Sequence, residues 1–300
     1  MKTKTYLFAL MTMALTLGSC SDNENGIGGE TSKYITVSTS IGNMTRVATD
    51  EKGGQTFEEG DEISVYAWTG DATVAPETRE RVVNNAINKL TNGSWISNPQ
   101  MLWKNNRDKH YFIGVYPISA ISDLSAGEYT FDETKQVESD LLVAVNKDGL
   151  SYNVDEPQTV PLTFTHVMAK LAVNLTYKNQ WGGIPTVEKV VVGNAAKEAT
   201  INYLTKVVTP STTAKEDFSL PEITENTKYV SVIIPQEDVK QLTIVIGGKN
   251  FVYDNGTPFK LESGKITTVN LEVGRDEIKL GDVKITNWED GSTFSGEALN

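Results

Sequence analysis

Leu162-Thr163-Phe164-Thr165-His166-Val167-Met168-Ala169-Lys170-Leu171-Ala172-Val173-Asn174-Leu175-Thr176-Tyr177 is the stretch that decides how the chain is read. Leu162 and Phe164 place apolar side chains on even positions, whereas Leu171, Val173 and Leu175 place them on odd ones. Each half has the period of two that sends alternate side chains to opposite faces of a strand. The change of phase between them predicts a β-bulge near Val167 and Met168. His166 then reads as a hydrogen-bonded strand residue rather than a catalytic base.

The same period governs the chain on both sides. Ile35, Val37, Thr39 and Ile41 share one face of an expected strand. Ile63, Val65 and Ala67 repeat the pattern after the turn signal Glu59-Gly60-Asp61, and Tyr111, Ile113 and Val115 do so before Pro117. Residues 141–145 are continuously apolar, as expected of a strand buried on both faces. Further strands are expected over residues 187–192, 229–234, 242–246, 251–253 and 266–273, with a hairpin at Gly247-Gly248-Lys249-Asn250. Only residues 81–90 resist: Val82, Val83, Ala86, Ile87 and Leu90 fall on one helical face, while Asn92-Gly93 just beyond reads as a hairpin turn. Helix and strand both stay open there. The fold class is all-β, and the polar, proline-ended stretch 148–157 is the expected boundary between an N-terminal unit, 34–156, and a C-terminal one, 157–300.

The N-terminus has the form of an export signal. Lys2 and Lys4 precede an apolar run over residues 6–17 and a small-residue ending at Gly18-Ser19 before Cys20. The run is shorter than the roughly 20 residues that cross a bilayer. Cys20 is the only cysteine, which rules out an internal disulfide or a cysteine metal site. Residues 20–33 are polar and glycine-rich, the composition of a flexible tether. The 300-residue chain carries 27 basic and 39 acidic residues, a formal charge of −12. Loss of residues 1–19 would remove Lys2 and Lys4 and no acid, raising the net negative charge further. Such a surface disfavours nucleic acid and anionic lipid.

The residues that carry enzyme chemistry are missing in any convergent pattern. His110 and His166, the only histidines, are not spaced as a metal pair, and no phosphate-cradling glycine loop or nucleophile elbow occurs. Glu58, Glu59 and Asp61 read as turn carboxylates. The expectation is a non-enzyme with no cofactor and no metal. Trp68, Trp95, Trp103, Trp181 and Trp288 could instead stack on sugar rings, which makes a non-polymerising, outer-membrane glycan-binding lipoprotein the alternative function.

Leu17-Gly18-Ser19-Cys20 resembles the lipobox of bacterial lipoproteins, in which the cysteine takes the lipid. Downstream, Met44-Thr45-Arg46, Phe57-Glu58-Glu59-Gly60-Asp61-Glu62-Ile63, Gly93-Ser94-Trp95, residues 111–117, Phe164-Thr165-His166-Val167-Met168, Ile233-Ile234-Pro235-Gln236 and Ser263-Gly264-Lys265 before Trp288 follow in order. Together they resemble the fimbrillin family, lipoprotein precursors of type V pili. The resemblance implies two tandem transthyretin-like β-sandwich domains and a structural or adhesive pilus subunit, lipid-anchored to the outer membrane through Cys20 as a precursor. It also implies cleavage after Arg46 by an arginine-specific protease, displacement of the strand holding Ile35, Val37 and Ile41, and its replacement by a strand from the next subunit. The mature form would stand on the cell surface or in the fimbrium, in contact with other subunits and with a host or bacterial surface ligand. A donor strand is expected from the C-terminal region, where Ile278 and Leu280, then Val283 and Ile285, form two short alternating runs. Residues 283–288 also read as the last strand of the second sandwich, which would make the protein a tip or accessory subunit.

Overall fold

The computed structural model describes residues 33–42, 56–153, 155, 158–254 and 256–288. Regular structure among these residues is nineteen strands and two single-turn 3-10 helices. Cys20 and Arg46 lie outside the described residues.

A seven-stranded sheet takes up most of the first half. It contains β1 (Thr36–Ile41), β2 (Glu62–Thr69), β3 (Arg81–Thr91), β4 (Ser94–Asn98) and β5 (His110–Tyr116); after β6 (Gly127–Thr130) it gains β7 (Leu142–Leu150) and β8 (Thr159–His166). The order across it is β1-β8-β7-β5-β2-β3-β4, with β1 parallel to β8. The second half comprises β9 (Ala169–Tyr177), β10 (Val187–Ala196), β11 (Glu198–Asn202), β12 (Val207–Pro210), β13 (Lys215–Leu220), β14 (Glu222–Thr224), β15 (Lys228–Ile233), β16 (Gln241–Ile246), β17 (Lys249–Asp254), β18 (Lys265–Val273) and β19 (Ile278–Asn287). These form a five-stranded sheet, β14-β15-β9-β18-β19, and a four-stranded sheet, β13-β10-β16-β17, while β12-β11-β6 joins the two halves of the chain.

The phase change that opens the sequence argument is not a bulge. β8 pairs with β7 and β1, and β9 pairs with β15 and β18, so the chain changes sheet at Val167-Met168. Val160, Leu162 and Phe164 point into one core, and Leu171, Val173 and Leu175 into another. A strand that leaves one sheet and joins another has no reason to keep its apolar phase. Of the polar stretch 148–157, expected as the unit boundary, residues 148–150 belong to β7, and β8 begins at Thr159 in the same sheet.

Residues 81–90 are strand. Their helix-like spacing comes from a bulge: Val65 pairs with Ala86 but Ala67 pairs with Val83, so Asn84 and Asn85 together face one residue of β2. Asn85 adopts φ +56°, the left-handed conformation that asparagine tolerates better than most residues. Buried positions run Arg81 and Val83 before the bulge, then Ala86 and Asn88 after it, and that one-residue slip mimics a period of 3.6. Asn92 and Gly93, both with positive φ, make the two-residue turn of the β3–β4 hairpin.

Two apolar cores result, one on each face of the seven-stranded sheet. Adjacent residues of one run divide between them: Leu141 and Val143 face the larger core shared with β9 to β19, and Leu142 and Ala144 face a smaller one. The smaller core holds Ile35, Val37, Ile63, Val65, Phe112 and Phe164. His110 lies beneath its rim, fully buried against Trp103. The Lys104 backbone N–H donates to His110 Nε2 at 3.0 Å and Nδ1 lies 3.1 Å from the Asp108 carbonyl, which fixes the neutral ring with its proton on Nδ1. Burial pushes the His110 pKa below its ordinary 6.5, against the raising effect of Asp108. The unfolded chain therefore takes up this proton at a higher pH than the folded one. The contribution to stability is complete above pH 6.5 and declines as pH falls below it. Thermal unfolding followed from pH 7.5 to pH 5 should show a loss of midpoint that is smaller in His110→Gln than in the parent.

Candidate functional site

β1 holds Val37 and Ile41, with Ile35 just before it. It is an edge strand of the seven-stranded sheet, held to β8 by a parallel ladder from Thr36 opposite Thr159 to Ile41 opposite Phe164. Its alternation is read out by burial: Ile35 and Val37 retain 2% and 6% of their exposure, while Thr36 and Ser38 face solvent. Ile41 is half-buried against the same core. On its other side the strand meets the segment before β5. The Ile35 N–H donates to the Met101 carbonyl at 2.9 Å and the Trp103 N–H to the Lys33 carbonyl at 3.2 Å, with Tyr34 bridged to Leu102. Trp95 of β4 donates from Nε1 to Thr39 Oγ1 at 3.0 Å. β1 thus closes the smaller core between the β8 edge and the β4 side.

Below its C-terminal end sits an aromatic cluster centred on Phe57. The Phe57 ring meets Phe164, Trp95 and Tyr116 edge-on at 5.1, 5.3 and 5.4 Å. Phe164 in turn lies over Gly114, where an added Cβ would come within 2.6 Å of its ring. The Glu58–Asp61 turn positions Phe57. Asp61 accepts the Glu58 N–H at 2.7 Å, Glu59 accepts the Asn92 N–H at 2.7 Å, and Asp61 also accepts the Tyr116 hydroxyl at 3.3 Å. Burial, reinforced by Asp61, pushes the Tyr116 pKa up to about 12. These carboxylates brace a turn. Segments scattered through the sequence therefore converge where β1 ends, a convergence that spacing along the chain did not reveal.

The C-terminal residues form one strand rather than two runs. β19 is the edge of the five-stranded sheet and pairs with β18 from Lys265 opposite Asn287 to Val273 opposite Ile278. Asn270 faces Asp282 and Leu271 faces Leu280, so Gly281 is an inserted residue. That bulge brings Val283 and Ile285 into phase with Leu280 and Ile278, all opposite the buried Val273, Leu271, Val269 and Thr267. The face is thinly covered, with Val283 41% and Ile285 38% exposed. Trp288 pins its end: the ring stacks on His166 at 4.1 Å, with Lys170 Nζ 4.1 Å from its centroid. His166 Nδ1 lies 2.7 Å from Asp140 Oδ1, so this histidine is a paired strand residue as expected. Trp68, Trp103 and Trp288 are buried, and Trp95 and Trp181 half-buried.

A model of fimbrillin-like proteins matches residues 45–288. The chain belongs to the fimbrillin-like family. Its fold is shared by a Bacteroides ovatus protein assigned to cell adhesion, at a TM-score of 0.61 and 18% identity over 85% of this chain and 98% of that one. A Bacteroides uniformis protein with the same assignment gives 0.60 at 17% identity, covering 86% and 100%. A fimbrial protein of Bacteroides vulgatus gives 0.53 at 12% identity, covering 84% and 99%. No curated protein matches. Likeness at such identities establishes the fold. The fimbrillin-like match begins past β1, one residue before Arg46.

Proposed function

We propose that this fimbrillin-like chain is a structural or adhesive subunit of a surface pilus, exported as a lipoprotein on Cys20 and joined to its neighbours by exchange of β1. The observation that carries this reading is the seating of β1. It is a short edge strand with two side chains sunk in a core, joined through residues 43–55 to the rest of the sheet, and Arg46 lies within that connection. A cut there separates β1 from the body while leaving the apolar slot in place. An unpaired edge above an apolar groove is the acceptor that β-augmentation requires.

The matching donor is β19. Ile278, Leu280, Val283 and Ile285 share one face through the Gly281 bulge, as Ile35, Val37 and Ile41 do in β1. Val283 and Ile285 are half-exposed in their present sheet, so covering them in the slot of the next subunit would offset part of what is lost when β19 leaves β18. The partners of this reading are other subunits, an arginine-specific protease and the outer membrane. N-terminal sequencing of the form found on cells tests it. A chain starting at Val47 supports processing, and a surface population consisting only of chains blocked at Cys20 contradicts it.

A further inference from the structure

We infer that the cavity between the β2–β3 connection and residues 102–104 is a saccharide-binding site. It encloses about 760 Å³, within the range of small-molecule sites at roughly 300 to 1,000 Å³. Its lining includes the aliphatic side chains of Val74, Ala75 and Leu102, with Val74 59% and Leu102 43% exposed. It also carries both signs of charge, in Asp71 and Glu80 and in Arg79 and Lys104. A sugar hydroxyl donates and accepts from one atom, and a pyranose ring has C–H faces that suit aliphatic surface. A lone anion would meet the two carboxylates, and a lone cation the two bases.

Several of the polar groups hydrogen-bond within the chain. Asp71 Oδ1 accepts the Thr73 N–H and hydroxyl, both at 2.7 Å, and the Asp71 carbonyl accepts Trp68 Nε1 at 2.9 Å. Glu80 accepts the Glu77 N–H at 3.1 Å, Arg79 Nε lies 2.9 Å from Glu77, and Lys104 Nζ donates to Thr69 at 3.2 Å. Arg81, also in the lining, is 9% exposed and locked by Asn84 and by the Ile121 and Ser122 carbonyls. Prearranged groups of this kind lower the ordering cost of binding. Saccharide binding here does not depend on strand exchange.

The test is an array of defined neutral di- and trisaccharides, with their sialylated and uronic-acid counterparts, probed with the chain from residue 21 to its end. Saturable binding to at least one neutral member is expected. Arg79→Ala with Lys104→Ala, and separately Val74→Trp at the exposed part of the lining, should each weaken that binding at least tenfold while the unfolding temperature stays unchanged. A flat array, binding to acidic members alone, or binding that survives these variants overturns the assignment.

Discussion

Cutting the chain after Arg46 and stripping away the released segment will lower its thermal midpoint by about 10 °C or more. Val37 of β1 and Ile35 just before it lie in the smaller core, and Ile41 is half-buried there. At about 1.5–3 kcal/mol for each full burial, their removal costs roughly 4–8 kcal/mol before the entropy regained by the freed segment. The backbone partners of β8, Met101 and Trp103 lose their bonds to the strand at the same time. In the uncut chain, Val37→Asp should reproduce much of the loss, because it sets a charge in the smaller core. Differential scanning calorimetry of cut, uncut and Val37→Asp chains measures all three. An unchanged midpoint after removal of the segment would mean that β1 contributes nothing to the fold.

Phe164→Ala will destabilise the chain by about 3–5 kcal/mol in urea titrations. The side chain is fully buried, its ring meets Phe57 at 5.1 Å and it covers the backbone of Gly114. The close fit makes a second prediction part of the same experiment. Gly114→Ala alone should cost about 1–3 kcal/mol, because the new methyl would stand 2.6 Å from the Phe164 ring. Combined with Phe164→Leu, which clears that space, it should cost less than the sum of the two single changes. Strict additivity would show that ring and glycine do not touch in solution.

Legibility of the fold in the sequence follows from where period two survives. Ile35, Val37 and Ile41 could be placed on one face because β1 pairs without interruption, and Leu141 to Val145 could be read as buried on both faces because cores flank that strand. The reading fails wherever a strand slips by one residue. Asn85 inserts in β3 and gives a helical spacing, Gly281 inserts in β19 and splits one face into two runs, and the chain leaves one sheet at Val167-Met168 where a bulge was expected. In each case the apolar residues are where the pattern puts them, and the missing information is which neighbour they pair with. That depends on long-range contacts.

The site was legible in part for the same reason. The alternation in β1 and the arginine after it are local features. The Phe57 cluster joins residues from four separate segments. The cavity beside β2 draws its groups from residues 68–82 and 102–104. Neither carries a spacing that a linear reading could use.

The most direct test of strand exchange uses the chain from residue 21, cut after Arg46 and left with β1 still seated. A synthetic peptide covering residues 276–288 is added, and the fragment ending at Arg46 is followed by size-exclusion chromatography and mass spectrometry. Exchange predicts that the fragment leaves, that the peptide takes its place one for one, and that a peptide with Val283→Asp and Ile285→Asp does neither. Retention of the fragment at saturating peptide, with no peptide bound to the body, would contradict it.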